Sequence, residues 1–196
     1  MKRPFLYSVI YLGIVILVAH FFAPPHYDWT KNTISDLGSQ GHVYKWIMQA
    51  GFLGFGGSLL VAALKDFRLR PDRYFLLFVA VYGIAVFLTG IFCAAPIDPL
   101  ILYSVQEAKL HSLFATIAGV AMSLGIFWQV VASSIVPQRW IRLLFFVLVM
   151  GISGMFGLAE NHILTFDKGL VQRSLYFAGL LWLVYEEQQI TKGVSK

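Results

Sequence analysis

A single cysteine, Cys93, among 196 residues excludes an internal disulfide, a CxxC redox pair and a thiolate metal cage. Charge is just as scarce. Only 13% of the chain is Asp, Glu, Lys or Arg, where an ordinary soluble domain carries about 25%. With 58% hydrophobic residues and a mean hydropathy of +0.72, the chain has too little polar surface to cover a water-facing globule. The sequence also lacks internal repeats, low-complexity tracts and a contiguous metal signature such as HExxH.

What it has is apolar runs. Crossing hydrocarbon takes about 20 residues, and the sequence supplies spans at 5–23, 46–64, 74–94, 110–133, 141–159 and 169–185. Six helices of that length leave only short connections, with no room for a soluble catalytic or nucleic-acid-binding domain. The fold class is all-α: a polytopic membrane bundle of six transmembrane helices in one integral domain spanning residues 1–196. The first span follows Lys2 and Arg3 but is long for a signal peptide. Its exit, His20-Phe21-Phe22-Ala23-Pro24-Pro25, lacks a small-x-small cleavage site, so it reads as a retained helix.

The basic residues set topology. With the N-terminus inside, the inner segments hold Lys2, Arg3, Lys65, Arg68, Arg70, Arg73, Arg139, Arg142, Lys192 and Lys196. The outer ones hold Lys31, Lys45, Lys109, Lys168 and Arg173. That two-to-one bias predicts both termini in the cytoplasm and the cell inner membrane as location. The pI near 9.4 then reflects this asymmetry, and anionic lipid headgroups suffice as its partner. Tyr27, Trp29, Tyr44 and Trp46 on the outside, with Tyr74, Trp140, Trp182 and Tyr185 on the inside, read as interfacial anchors. Small-residue stripes predict where helices touch: Gly51, Gly54, Gly56 and Gly57; Ala108, Ser112, Ala115, Gly119 and Ser123; and Gly151, Gly154 and Gly157. The same grooves equally suit a homodimer.

Unusual polar residues gather at the outer ends of the spans. All five histidines fall there, together with Asn32, Ser35, Asp36, Glu107, Glu160, Asn161 and Arg173. Arg173 lies roughly 6 Å below the outer end of the last helix, because the apolar run from Ser174 to Tyr185 must be extended backwards to span. A guanidinium there either snorkels to headgroups or pairs with Asp36, Glu107 or Glu160. Thr33 and Asp36 have capping-box spacing, with Gly38 as the stop. His111 stands one turn after Glu107 on the same helix face. Asp36, His111 and His162 are ligands that zinc accepts, and a catalytic zinc needs three protein ligands plus a water. Arg173 would then hold an anionic group, with Ser35 or Glu107 relaying a proton.

Three pieces carry a resemblance. Asn32-Thr33-Ile34-Ser35-Asp36-Leu37-Gly38 after a first span, His111-Ser112-Leu113-Phe114-Ala115 in the fourth helix and Gly169-Leu170-Val171-Gln172-Arg173 opening the sixth resemble the domain of unknown function 998 family of bacterial and archaeal membrane proteins. The likeness runs from about residue 8 to 187. It implies a six-helix bundle and implicates Asp36, His111 and Arg173, without supplying an activity. In layout the chain also resembles intramembrane lipid hydrolases such as the alkaline ceramidases, although their paired late-helix histidines are absent.

Two readings therefore stand. In the first, the chain is an intramembrane hydrolase or transferase acting on a lipid-like substrate, with Asp36, His111 and His162 around zinc or as acid and base. In the second, it is a non-catalytic membrane protein that binds a lipid headgroup or partner, and the same residues form a structural ion-pair network. A third, haem ligation by two of His20, His111 and His162, requires imidazoles facing each other across helices.

Overall fold

The computed structural model describes residues 3–160, 163 and 167–192. Its helices are α1 (Pro4–Phe21), α2 (Lys45–Leu69), α3 (Phe75–Ile91), α4 (Val105–Ala132), α5 (Val136–Glu160) and α6 (Lys168–Lys192). Among the described residues there is no strand, and one 3-10 turn, Ser35–Gly38, interrupts the long loop after α1. Pro4 occupies the first turn of α1, where its missing N–H would have had no partner anyway. At the start of α4 the Ser104 hydroxyl accepts from the Glu107 N–H at 3.2 Å.

Consecutive helices run antiparallel and neighbour one another in chain order, and α1 also meets α6. Ser58 donates to Ser8 at 2.7 Å near the start of α1, while Tyr11 donates to Ala50 O at 2.9 Å one turn further on. The seam between α2 and α3 is the tightest. A Cβ on Gly56 would fall 2.5 Å from Gly83 O, so only glycine permits this backbone approach.

Four helices, α1, α2, α4 and α5, are long and apolar enough to cross a membrane. The α3 helix is apolar but has 17 residues. The α6 helix has 25 residues and ends in a polar tract, running past the expected limit at 185 to Lys192. Large apolar side chains cover the outside, including Leu17, Val61, Leu144, Val147 and Phe177, each more than half exposed. That surface suits lipid and not water.

Two expectations about packing need correction. The stripe of Ser112, Ala115 and Gly119 does not form a helix seam: Ser112 and Ala115 are exposed, and nothing lies within 4 Å of a Cβ placed on Gly119. The inward face of α4 is His111, Ala118, Met122 and Gly125 instead. Gly151 and Gly154 of α5 likewise meet nothing within 4 Å. Trp182, expected as an interfacial anchor, is 0% exposed, its ring edge-on to Phe75 at 6.3 Å and its tip against Gly125. Its ring completes the core beside Leu183, which is likewise 0% exposed.

The end of the bundle that carries the N-terminus is locked by α6. Glu186, 1% exposed, takes Arg142 of α5 in two bonds at 2.7 and 2.8 Å, and Gln129 of α4 donates to it at 3.0 Å. Next to it Glu187 accepts the Phe5 and Leu6 N–H groups at 2.7 and 3.0 Å, so a carboxylate sits on the positive end of α1. These partners explain why α6 continues beyond its apolar run. Without them two buried carboxylates would be untenable.

Candidate functional site

At the opposite end, residues 22–44 fold over the helix ends and dock on the first turn of α6. Gly169 makes this contact feasible, because a Cβ there would lie 2.5 Å from Trp29 O and 2.6 Å from Thr30 O. Three bonds then tie the segment down. The Leu170 N–H donates to Thr30 O at 3.0 Å, the Ile34 N–H donates to Gln172 Oε1 at 2.6 Å, and Arg173 Nη1 donates to Asn32 O at 2.9 Å.

Arg173 is the centre of this arrangement. Nη1 also donates to Gly169 O at 2.9 Å, one turn back in its own helix. Nη2 donates to the Tyr27 hydroxyl and meets His20 Nε2 at 3.1 Å. His20 Nδ1 lies 2.7 Å from Ile16 O, an acceptor only, so Nδ1 carries the proton and Nε2 presents its lone pair to the guanidinium. Tyr27 in turn donates to Thr33 O at 3.0 Å. The rings of Tyr27 and Trp29 each lie 6.0 Å from the guanidinium carbon. Burial pushes the Tyr27 hydroxyl pKa up from its ordinary value, with the Arg173 charge pulling the other way.

The expected partners of Arg173 do other work. Among the described residues no carboxylate comes within 4 Å of it. Asp36 closes the capping box legible in the sequence: the Thr33 N–H donates to Asp36 Oδ2 at 2.7 Å, and the Asp36 N–H donates to Thr33 Oγ1 at 3.2 Å. Burial raises the Asp36 carboxyl pKa above its usual value despite those bonds and the nearby Lys168. Glu160 pairs with Lys168 at 3.2 Å. Ser35 opens the 3-10 turn, half-buried.

Glu107 and His111, one turn apart on α4, both reach the end of α3. Glu107 Oε1 accepts the Cys93 N–H at 2.9 Å. His111, 5% exposed, places Nδ1 at 2.8 Å from Phe92 O and 3.1 Å from Thr89 O, so it donates to carbonyls that the helix end leaves free. Cys93 is buried, and that burial raises its thiol pKa.

The sequence-predicted residues therefore divide between two subsites at the same end. Asp36, Ser35 and Arg173 belong to the docked loop; Glu107 and His111 belong to the α3 exit. His162, the third expected zinc ligand, lies outside the described residues, as does Asn161. Among the described residues no three His, Cys, Asp or Glu side chains converge as a metal site.

Sequence reasoning missed the residues that join these parts. Gln40 links both subsites: its N–H donates to Ala94 O at 3.0 Å, its side chain donates to Ser104 O at 3.0 Å, and it accepts the Ser104 N–H at 2.8 Å. Gln172 stands beside Arg173 in the chain, and Tyr27 reads in the sequence only as an anchor. For Gln172 the available signal was an uncharged amide after Leu170 and Val171 at the opening of an apolar helix; Gln40, between Ser39 and Gly41, carries no such signal.

An all-helical protein with lipid-type surface and a polar, loop-capped end is a membrane protein of the multi-helix class. The chain belongs to the family described as "Protein of unknown function (DUF998)", whose family model matches residues 8–185. No curated protein and no solved structure matches it.

Proposed function

We propose that the chain is a non-catalytic inner-membrane protein crossing the bilayer six times, with both termini cytoplasmic, whose outward end recognises an anionic lipid headgroup through Arg173. Arg173 carries the reading. Four of its N–H groups meet neutral acceptors, and its positive charge has no carboxylate within 4 Å among the described residues. A half-buried cation near a membrane surface is stabilised by a counter-charge, and the headgroup layer supplies one. The remaining candidate acid and base support this over the hydrolase or transferase reading, because Asp36 and His111 are each engaged in holding a backbone terminus.

Lengths favour six crossings. At 1.5 Å per residue α3 reaches about 26 Å and α6 about 38 Å, against a hydrocarbon core of about 30 Å. The basic residues Arg3, Lys65, Arg68, Arg70, Arg73, Arg139 and Arg142 all sit at the end that carries the N-terminus, which supports that end as the cytoplasmic one.

The test is native mass spectrometry of the purified protein with phosphatidylglycerol and phosphatidylcholine. Arg173→Gln is expected to retain one fewer phosphatidylglycerol while staying folded in phosphatidylcholine micelles, with a melting temperature lowered by the lost bonds to Asn32 O and Tyr27. Unchanged phosphatidylglycerol binding overturns the headgroup assignment. Lipid turnover that is lost in Asp36→Asn or His111→Gln, with melting unchanged, overturns the non-catalytic one.

A further inference from the structure

At the other end of the bundle, the short turn between α2 and α3 carries two arginines whose backbone is fixed and whose side chains are not matched. The Arg70 N–H closes α2 on Asp66 O and Phe67 O at 3.0 and 3.1 Å, and the Arg73 N–H donates to Arg70 O at 3.1 Å. Neither guanidinium has a hydrogen bond or an ion pair among the described residues. Arg70 Nη1 is moreover sealed from solvent with no acceptor. Both arginines are half-buried, and a sealed guanidinium nitrogen without an acceptor is rare enough to require a cause.

The surroundings identify the missing partner as an anion. The backbone bond from the Arg73 N–H to Arg70 O holds the two residues in one turn, and burial, then the Arg70 charge, lowers the Arg73 pKa from its ordinary value. Asp66, Asp72 and Glu186 lie within electrostatic reach, yet no carboxylate comes within 4 Å of either guanidinium. Glu186 is already held by Arg142 and Gln129. Planar guanidinium forks match phosphate oxygens in both spacing and charge. Exposed Leu69, Tyr74 and Leu77 beside the turn give acyl chains an apolar surface.

The geometry points to a binding site for a phosphate-class anion at the α2–α3 turn, with Arg70 and Arg73 supplying its donors. The anion is either the phosphate of an anionic lipid or free phosphate, and both present the same oxygens. This site is separate from Arg173 and does not rest on the reading above.

The full chain in detergent is titrated by native mass spectrometry with phosphatidylglycerol, phosphatidylcholine or inorganic phosphate, which differ in mass. Wild type is expected to hold phosphatidylglycerol or phosphate in preference to phosphatidylcholine. The double variant Arg70→Gln/Arg73→Gln is expected to bind the preferred anion at least tenfold more weakly, and Arg173→Gln to leave this site intact. Binding of inorganic phosphate alone assigns the free anion; binding of phosphatidylglycerol alone assigns the lipid. Equal binding by wild type and double variant overturns the site. Should the double variant fail to fold, phenylglyoxal labelling of wild type decides the matter. The tested anion, and not phosphatidylcholine, is expected to protect Arg70 and Arg73, whereas equal labelling in every condition overturns the proposal.

Discussion

Glu186→Ala is expected to destabilise the protein more than any loop substitution. The change removes the carboxylate from a pair whose side chains are 8% and 1% exposed, leaving the Arg142 guanidinium without its two short bonds and Gln129 without its acceptor. Breaking a buried pair by deleting one partner costs about 3–5 kcal/mol. Arg142 stands six residues into α5, so its long side chain can swing towards the headgroups and recover part of that loss. The orphaned Gln129 amide adds about 1 kcal/mol. The sum is about 4 kcal/mol, close to a thousandfold in the folding equilibrium, since each 1.4 kcal/mol is roughly tenfold. Replacing both partners, as Arg142→Leu/Glu186→Leu, removes the isolated charge and is expected to cost less than Glu186→Ala alone. Titration with dodecyl sulfate in mixed micelles, followed by circular dichroism, gives the free energies, and the cycle of Arg142→Ala and Glu186→Ala gives the coupling. A Glu186→Ala loss under about 1 kcal/mol, or negligible coupling in the cycle, would refute the buried-pair argument.

Gly169→Ala forces a Cβ against Trp29 O and Thr30 O, so residues 22–44 must lift from α6. About 1–3 kcal/mol of stability is expected to go, with faster proteolysis within that segment; an unchanged cleavage rate counts against the docking. His111→Phe keeps an aromatic ring but removes the donor serving Phe92 O and Thr89 O, with an expected loss of about 1–3 kcal/mol, and His111→Gln is expected to recover part of it. Asp36 has a carboxyl pKa raised by burial above the unfolded value of 3.8, so the folded chain holds that proton more tightly than the unfolded chain. Its contribution is therefore fully present below about pH 4 and is lost as pH rises through the folded value. Melting curves from pH 4 upward are expected to show wild type losing stability relative to Asp36→Asn, and parallel curves would disprove it.

Local chemistry was readable where a residue's partners are near in sequence. Thr33 and Asp36 are three residues apart, and their capping box forms as the spacing requires. Glu107 and His111 share a helix face by periodicity, and both point to the same helix end. The partners of Arg173 were not readable, because His20, Tyr27 and Asn32 lie more than 140 positions away and are neutral, so charge matching pointed to Asp36, Glu107 and Glu160 instead. Small-residue stripes misled on α4 for a related reason. Such a stripe permits close approach but does not say whether a neighbour arrives, and bulky Met122 with His111 faces inward instead.

By itself the sequence determined that the chain is helical and apolar outside, since backbone N–H and C=O groups in hydrocarbon must be satisfied within each segment and the apolar runs have the necessary length. It also located the loop after α1, where Pro24 and Pro25 follow the helix, and the charged turn after α2, although α6 runs past its apolar limit to Lys192. Only the tertiary structure decided what the polar groups do. Glu187 at the start of α1, Gln40 between two loops and Arg173 among carbonyls find partners far along the chain, and those partners exist only once the helices have taken their places around one another.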